Sequence, residues 1–400
     1  MTRLCLFYAA GPGDLVRTFE QWACGQDDIY QPGLTYSGQF FDLCKRLNAR
    51  GIAVSSCPRS ARVERDQFTV INLPKPKHSG GLSYHLAQVR YMLRIFRMAK
   101  NQGADYLILS DATGHWFPMT LWPRRPAVIA SFHCTLWPPW SAMGRIQSWL
   151  NRLNGRALKR RARGALCISP QVAEQVEAIT GPAVPTVFGF GPTYRQSFFK
   201  DLAPPKPNRP FRVLFAGRIE EDKGVLDAVT AFKYLAEDGR RDICLDICGD
   251  GSQAREVQRR IADYGLEQTV RFHGFCRHDE YRRLIEDSHL FIVPTATSFN
   301  EGFNKVVAEA VLSGRPVLTT KACPAMFQVR GAAVEIEPSA PQAWVGRIAQ
   351  LADHRAEYAE LRAACSRYQA GFYDLQRSWG HALYRALVQC QPGLSGQWET

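Results

Sequence analysis

Short apolar runs alternate with longer amphipathic stretches along this chain, and the alternation changes character near residue 210. Beyond it, the runs at 212–217, 243–248, 270–273, 290–294, 317–320 and 333–336 read as buried strands with helical stretches between them. Strict strand–helix alternation predicts right-handed crossovers and a parallel sheet. Before residue 200 the strand-like runs are 4–8, 52–56, 68–73, 106–109, 127–132 and 166–168, with helical periodicity over 40–49, 82–100 and 171–179. This half alternates less regularly but predicts a second doubly wound α/β unit.

Residues 201–210 separate the halves and hold Pro204, Pro205, Pro207 and Pro210. Prolines at this density prevent helix and favour a stiff, extended linker. Four hundred residues exceed the usual single core. The expected organisation is a first domain at 1–200, a linker at 201–210, a second domain at 211–372 and a helical terminal segment at 373–392. In that segment Leu375, Trp379, Leu383 and Leu387 recur at a spacing of four.

Composition narrows the class. A hydrophobic content of 46% supports sizeable cores and argues against disorder. None of the twelve cysteines forms a Cys-x-x-Cys pair or a zinc-spaced Cys/His cluster. Cys5, Cys167, Cys244 and Cys248 sit inside apolar runs and read as reduced core residues of a cytoplasmic protein. The opening residues are too soon followed by Gly13 and Asp14 to be expected to form a signal peptide, and no apolar run approaches a membrane span. The formal net charge of +13 favours an anionic partner: nucleotide, phospholipid surface or nucleic acid.

Two segments carry candidate chemistry. Glu301 lies in a loop after the 290–294 strand, and Glu309 lies eight positions on, inside the helix that follows. Eight helical residues are two turns plus a small rotation, so both acids could face one cleft. The helix start near Asn304 would turn free N–H groups and a positive dipole end toward it. Carboxylates accept hydrogen bonds from hydroxyls and the helix end favours phosphate, which together suit a ligand carrying sugar and phosphate. The alternative is an ordinary amphipathic helix with two solvated acids. Upstream, the 212–217 strand runs into a turn bounded by Gly217 and Gly224, with Arg218 and Lys223 five residues apart. Such a strand–turn–helix makes a phosphate-facing loop, Arg218 able to bind bidentately and Lys223 as a point charge. Alternatively the two cations pair with their neighbours Glu220, Glu221 and Asp222. Gly249-Asp250-Gly251 ends the 243–248 strand, and Ser252 is positioned to cap the next helix. All three loops fall at the carboxyl edge of the expected sheet, where ligands bind in parallel folds.

The run Glu301-Gly302-Phe303, Glu309 and Gly314-Arg315-Pro316-Val317 resembles the signature of the retaining glycosyltransferases of family 4, which have the GT-B fold. That resemblance implies two Rossmann-like, doubly wound domains facing each other across a cleft, with the 373–392 helix returning to the first. It implies that Glu301 contacts the donor sugar and Glu309 the ribose hydroxyls, while the backbone of Gly302, Phe303 and Asn304 lines the sugar pocket. Arg218 and Lys223, with Gly217 and Gly224, would hold the diphosphate, and Gly249 and Gly251 would border the base. Gly38, in Tyr36-Ser37-Gly38 before a helix, would let backbone approach the diphosphate, or is a plain helix entry. His133, after the 127–132 strand, would touch the donor sugar. Asn304 stands where the family often has glycine, which leaves the sugar open. His115, in Asp111-Ala112-Thr113-Gly114-His115, could line the acceptor side.

Residues 137–163 contain Trp137, Trp140 and Trp149, seven Lys or Arg side chains from Arg145 to Arg163, and no acid. Ile146, Trp149, Leu150, Leu153 and Ala157 recur at helical spacing. This is a basic amphipathic helix suited to an anionic membrane surface, or a helix packed on its own sheet with a solvated basic face. Family members acting on lipid-linked acceptors dock in this way.

The expected function is therefore a retaining glycosyltransferase using a nucleotide-diphosphate sugar, UDP or GDP, in bacterial cell-surface polysaccharide or glycolipid synthesis. Its acceptor would be a glycan or lipid-linked, and it would be cytoplasmic, peripheral to the inner membrane face in the docking reading. No Asp-x-Asp occurs, so no metal clamp and no cofactor are implied, the two cations taking the metal's place. The same fold hosts nucleotide-sugar epimerases and sugar phosphorylases. A nucleic-acid binder would account for the charge, but the basic residues lack a nucleic-acid motif and the motifs cluster on a cleft.

Overall fold

The computed structural model describes residues 3–26, 28, 31–110, 114–121, 125–140, 142–181, 186–206 and 210–398. The first half builds β1 (Cys5–Ala9), β2 (Arg50–Ser55), β3 (Ala61–Arg65), β4 (Phe68–Asn72), β5 (Tyr106–Leu109), β6 (Ala127–Phe132), β7 (Ala162–Cys167) and β8 (Thr186–Gly189). They form one sheet in the order β3-β4-β2-β1-β5-β6-β7-β8, parallel except for β3 against β4. The second half builds β9 (Phe211–Ala216), β10 (Ile243–Cys248), β11 (Val270–Gly274), β12 (Leu290–Val293), β13 (Val317–Thr319) and β14 (Ala333–Glu335). These run parallel in the order β11-β10-β9-β12-β13-β14. Two doubly wound α/β sheets facing a cleft are the GT-B arrangement.

Every strand-like run of the sequence is a strand. The two sheet-edge strands β3 and β8 were not legible, because each is short and largely exposed, and β3 alternates with charged side chains. The helix expected to start at Phe40 starts at Tyr36, capped by Thr35, and ends at Arg46. The helix expected over 373–388 is broken. Helix Arg355–Tyr373 stops, and Ser378 caps a new helix, Trp379–Cys390, by accepting the His381 N–H at 3.1 Å. That last helix packs on β7, β8 and helix Tyr36–Arg46 of the first sheet. Trp379 is buried there and donates its indole N–H to Ser131 Oγ at 2.8 Å.

The inter-sheet segment is tied down where it is described. Arg282 donates to the Phe198 and Lys200 carbonyls, Arg315 Nη2 to Ala203 O at 2.6 Å, and His289 Nε2 to Lys206 O at 2.7 Å. Pro207, Asn208 and Arg209 lie outside the described residues. One apolar core fills the first sheet's layers and continues into the cleft-facing side of the second half; a separate core lies on the second half's other face.

Candidate active site

The site grows from four strand ends of the second sheet. β9 leads into Gly217, at φ 136°, and the exposed Arg218. The turn closes on Gly224, at φ 71°, where an added Cβ would lie 2.0 Å from Pro294 O. Beside it Gly249, at φ 149°, packs so closely that a Cβ would lie 1.8 Å from Gly217 O, and one on Gly251 would lie 2.4 Å from Ile219 O. Only glycine combines that backbone with those approaches, so the glycines of this edge are structural requirements of loops stacked against each other. Ser252 does not cap the next helix. Its N–H and hydroxyl both go to Glu220, at 3.0 and 2.5 Å. Glu220 is thus bonded to Ser252, and the Arg218 charge acts on it only from beyond ion-pair distance.

Lys223 reaches across the strand ends instead. Its ammonium donates to Glu301 Oε2 at 2.5 Å and lies 3.9 Å from the centroid of the Phe299 ring. Arg218 sits 5.4 Å from the same centroid and, among the described residues, has no carboxylate within ion-pair distance. Asn304 caps helix Lys305–Leu312 by accepting the Val306 N–H at 3.1 Å, and its amide donates to Glu301 Oε2 at 3.2 Å. The residue that departs from the family's glycine therefore starts the helix and holds the acid. Gly217, Arg218, Lys223, Glu301, Phe303 and Asn304 all line one cavity of about 480 Å³.

Glu309 lines the adjoining cavity, of about 300 Å³, with Gly249, Asp250 and His278; both cavities share Gln31, Gly217 and Arg218. The two acids thus face one continuous crevice. Glu309 accepts the Tyr281 hydroxyl at 2.6 Å. Burial raises its carboxyl above the usual range, partly offset by Tyr281 and by Lys305. Gly251 stands behind this wall and lines neither cavity.

The first half closes the crevice from the other side. An added Cβ on Gly302 would lie 2.2 Å from His133 O, so the Glu301 loop and the end of β6 touch across the cleft. His133 stacks near Tyr36, with centroids 4.3 Å apart, and burial with the nearby Lys305 charge lowers its pKa to about 3. It is therefore a neutral imidazole. Trp379 donates to Ser131 Oγ, which also pairs with His133 Nε2 at 3.0 Å and fixes the ring's orientation. Nδ1 is buried with no partner among the described residues. Lys305 is buried, which lowers its ammonium's pKa, and donates to Gln31 Oε1 at 2.6 Å.

Gly38 is not brought to this crevice. It lies in the first turn of helix Tyr36–Arg46, its N–H bound to Thr35 Oγ1 at 3.0 Å, and it lines a neighbouring groove with Trp22 and Asp42, which meets the Glu309 cavity at Gln31, Pro32 and His278. The signal was a helix start, as its own cap shows. Gln31, Tyr36, Phe299 and Lys305 were missed, since each lies in a loop or first turn whose course no local pattern fixes. His115 lies in another cavity, of about 1010 Å³, which His133, Phe299 and Asn300 also line; Asp111, Ala112 and Thr113 lie outside the described residues.

Of the 137–163 stretch, Arg145–Arg161 is helical, and its buried side is Asn151, Asn154, Gly155, Ala157 and Leu158, so that of the apolar stripe only Ala157 is buried. Gly155 allows this, since a Cβ there would meet Ile179 O at 1.8 Å. Ile146 and Trp149 project into solvent. Trp140 is not part of that face; its indole N–H reaches Lys321 O at 3.3 Å on the second half.

Comparison with known proteins meets this geometry from both halves. Residues 198–371 match the sequence profile described as "Glycosyl transferases group 1", and residues 39–190 match "Glycosyl transferase 4-like domain". The chain belongs to glycosyltransferase family 4. Among its relatives, the 2-deoxystreptamine glucosyltransferase of Streptomyces kanamyceticus is 29% identical over 58% of this chain and 63% of that enzyme. The putative colanic acid biosynthesis glycosyltransferase WcaL of Escherichia coli is 30% identical over 28% and 29%. The chain thus spans less than two thirds of these relatives' length. Sucrose-phosphate synthase from Thermosynechococcus elongatus shares this family 4 chain's fold, with a TM-score of 0.72, 14% identity and coverage of 98% and 100%. So does HepE from Anabaena, solved with UDP-glucose, with a TM-score of 0.65, 16% identity and the same coverage. Among the described residues no cluster of His, Cys, Asp or Glu could hold a metal ion, and no helix is long and apolar enough to cross a membrane.

Proposed function

We propose that this family 4 chain is a retaining, metal-independent glycosyltransferase. It moves a sugar from a nucleotide-diphosphate sugar, UDP or GDP, to a glycan or lipid-linked acceptor in bacterial cell-surface polysaccharide or glycolipid synthesis, at the cytoplasmic face of the membrane. The observation that carries this reading is the meeting of Arg218, Lys223, Glu301 and the Asn304-capped helix start in one cavity, with Glu309 on the wall next to it. Relatives named for amylovoran and colanic acid biosynthesis, and a structural relative solved with UDP-glucose, support the substrate class.

In this reading residues 211–372 form the donor domain and residues 1–200 the acceptor domain. Arg218 and the Lys305–Leu312 N-terminus bind the diphosphate. Lys223 stands between it and Glu301, so one ammonium neutralises charge growing on the leaving group while orienting the acid beside the sugar. The acceptor hydroxyl attacks the anomeric carbon on the face the diphosphate leaves, the anomeric C–O bond to phosphate breaks, and the hydroxyl proton passes to the departing phosphate oxygen. Neutral His133 forms a hydrogen bond with a sugar hydroxyl through Nδ1, and Glu301 stabilises the positive ring. Glu309 receives the ribose hydroxyls.

The test is calorimetry with UDP and GDP combined with radiolabelled sugar transfer. Glu309→Gln is expected to weaken nucleotide binding, and Glu301→Ala to abolish transfer while the fold persists. Normal turnover by Glu301→Ala would remove the assignment.

A further inference from the structure

Cys248, the last residue of β10, and Cys276, just beyond β11, lie side by side on the wall of the Glu309 cavity. β10 and β11 pair in step until a register shift between Ile247 and Cys248 sets Cys248 opposite Gly274. The Gly274 carbonyl accepts the Gly249 N–H at 2.8 Å and the Cys276 thiol at 3.5 Å, which folds Cys276 back onto the end of β10. The two thiols are hydrogen-bonded to each other. That bond raises the pKa of Cys248, which keeps its proton, and lowers that of Cys276, which gives up its proton more readily. Cys248 is buried and Cys276 only half-buried, so a reagent entering the cavity meets the more nucleophilic sulfur first. Burial instead raises Cys134 to about 11 and Cys323 to about 12.

We propose that Cys248 and Cys276 are a modification site, at which a hydroperoxide entering the cavity joins them in a reversible disulfide that weakens nucleotide binding. The Cys276 sulfur takes one oxygen from hydrogen peroxide as the O–O bond breaks, giving a sulfenic acid and one water. The Cys248 sulfur then displaces that oxygen, which leaves with the Cys248 proton as a second water. Two thiols and one peroxide thus give one disulfide and two waters, with two electrons passing from sulfur to oxygen. A covalent bond holds the sulfurs closer than a hydrogen bond does, so one side of the pair must give. β10 cannot, because Gly249 beside Cys248 is packed against the Gly217 carbonyl. The turn after β11 can, since Gly274 is at φ 68° with open space where a Cβ would stand. Its movement carries Phe275 on the cavity wall and the start of helix His278–Asp287, whose Tyr281 hydroxyl holds Glu309. The effect on nucleotide binding rests on the transferase reading above; the thiol chemistry stands apart from it.

The test treats the full, reduced chain with hydrogen peroxide, maps cross-linked peptides by mass spectrometry without reductant, and measures UDP binding by calorimetry. A peptide pair joining Cys248 to Cys276 is expected, with UDP affinity down about tenfold, the value of one charge-assisted hydrogen bond, and restored by dithiothreitol. Saturating UDP is expected to slow the cross-link, because bound nucleotide covers Cys276 in the cavity. Cys276→Ser is expected to bind UDP equally before and after peroxide, and Cys248→Ala to stop at the sulfenic acid, which dimedone traps. Peroxide that oxidises other cysteines without joining these two would overturn the site. A cross-link that leaves UDP affinity unchanged, or an equal fall of affinity in Cys276→Ser, would overturn its effect on the nucleotide. A reduced chain that binds no UDP would instead overturn the transferase reading, while the cross-link still decides the thiol pair.

Discussion

Lys223 and Glu301 form an ion pair on the wall of the candidate site. Their side chains are only 14% and 9% exposed, so each charge depends on the other. Removing one partner of such a pair leaves a buried charge uncompensated, which costs about 3 kcal/mol, whereas removing both costs far less. Lys223→Met is therefore expected to lower the denaturant midpoint strongly, and adding Glu301→Gln to recover most of that loss without restoring transfer. A double-mutant cycle by urea titration and activity checks both, and additive stability losses would show that the pair is not coupled. His133 gives a pH signature. Its pKa is lowered to about 3 in the fold, while the unfolded chain binds the proton at the ordinary histidine value. Unfolding is thus favoured as pH falls below that ordinary value, by about 2 kcal/mol between pH 7 and pH 5. His133→Gln is expected to lose less stability over that window in paired denaturant titrations; parallel curves would mean that His133 is not held neutral.

At the scale of elements, the central strands were legible because strands buried on both faces are mostly apolar: β12 is so throughout, and β6, β9 and β10 are each interrupted once, by Ser131, Arg212 and Asp246. The loops at their ends were legible only where a glycine or a charge had no other reason to be there. Gly217, Gly224 and Gly249 satisfied that condition. Gly38 did not, since a helix start demands as much, and the structure uses it for one. What the sequence hid was the course of the connections: Gln31 meets Lys305 through a loop with no local signature, and the last helix breaks at Asp374–Ser378 although its apolar spacing continues through. The stacked loops carry their own prediction. Gly249→Ala places a Cβ 1.8 Å from the Gly217 carbonyl in a backbone region L residues avoid, and is expected to cost about 2 kcal/mol or more. Nucleotide affinity is expected to fall with it, because the same shift moves Arg218. Calorimetry with UDP finding full affinity in a destabilised variant would separate the two loops.

At the scale of the molecule, the proposed transfer depends on how the two sheets meet, and they meet through few contacts at the crevice. Tyr194 donates to Lys305 O at 3.1 Å, Lys305 to Gln31, and Gly302 lies against the His133 carbonyl. The last of these is the most demanding, since it joins the Glu301 loop to the strand end that carries His133 with no side chain between. A methyl group at position 302 would sit 2.2 Å from a main-chain oxygen, an approach that neither backbone can absorb, so the halves must part. The second half keeps Arg218, Lys223 and Glu309 in place, because none of them depends on that contact. Gly302→Ala is therefore expected to leave UDP affinity nearly intact while lowering kcat/KM for transfer about a hundredfold, the usual cost of a displacement near 1 Å between reacting groups. Small-angle scattering with and without UDP checks the geometry: the unmodified protein is expected to be more compact than the variant in both states. A variant that transfers sugar at the full rate would mean that the reacting arrangement brings the halves together somewhere other than at Gly302 and His133.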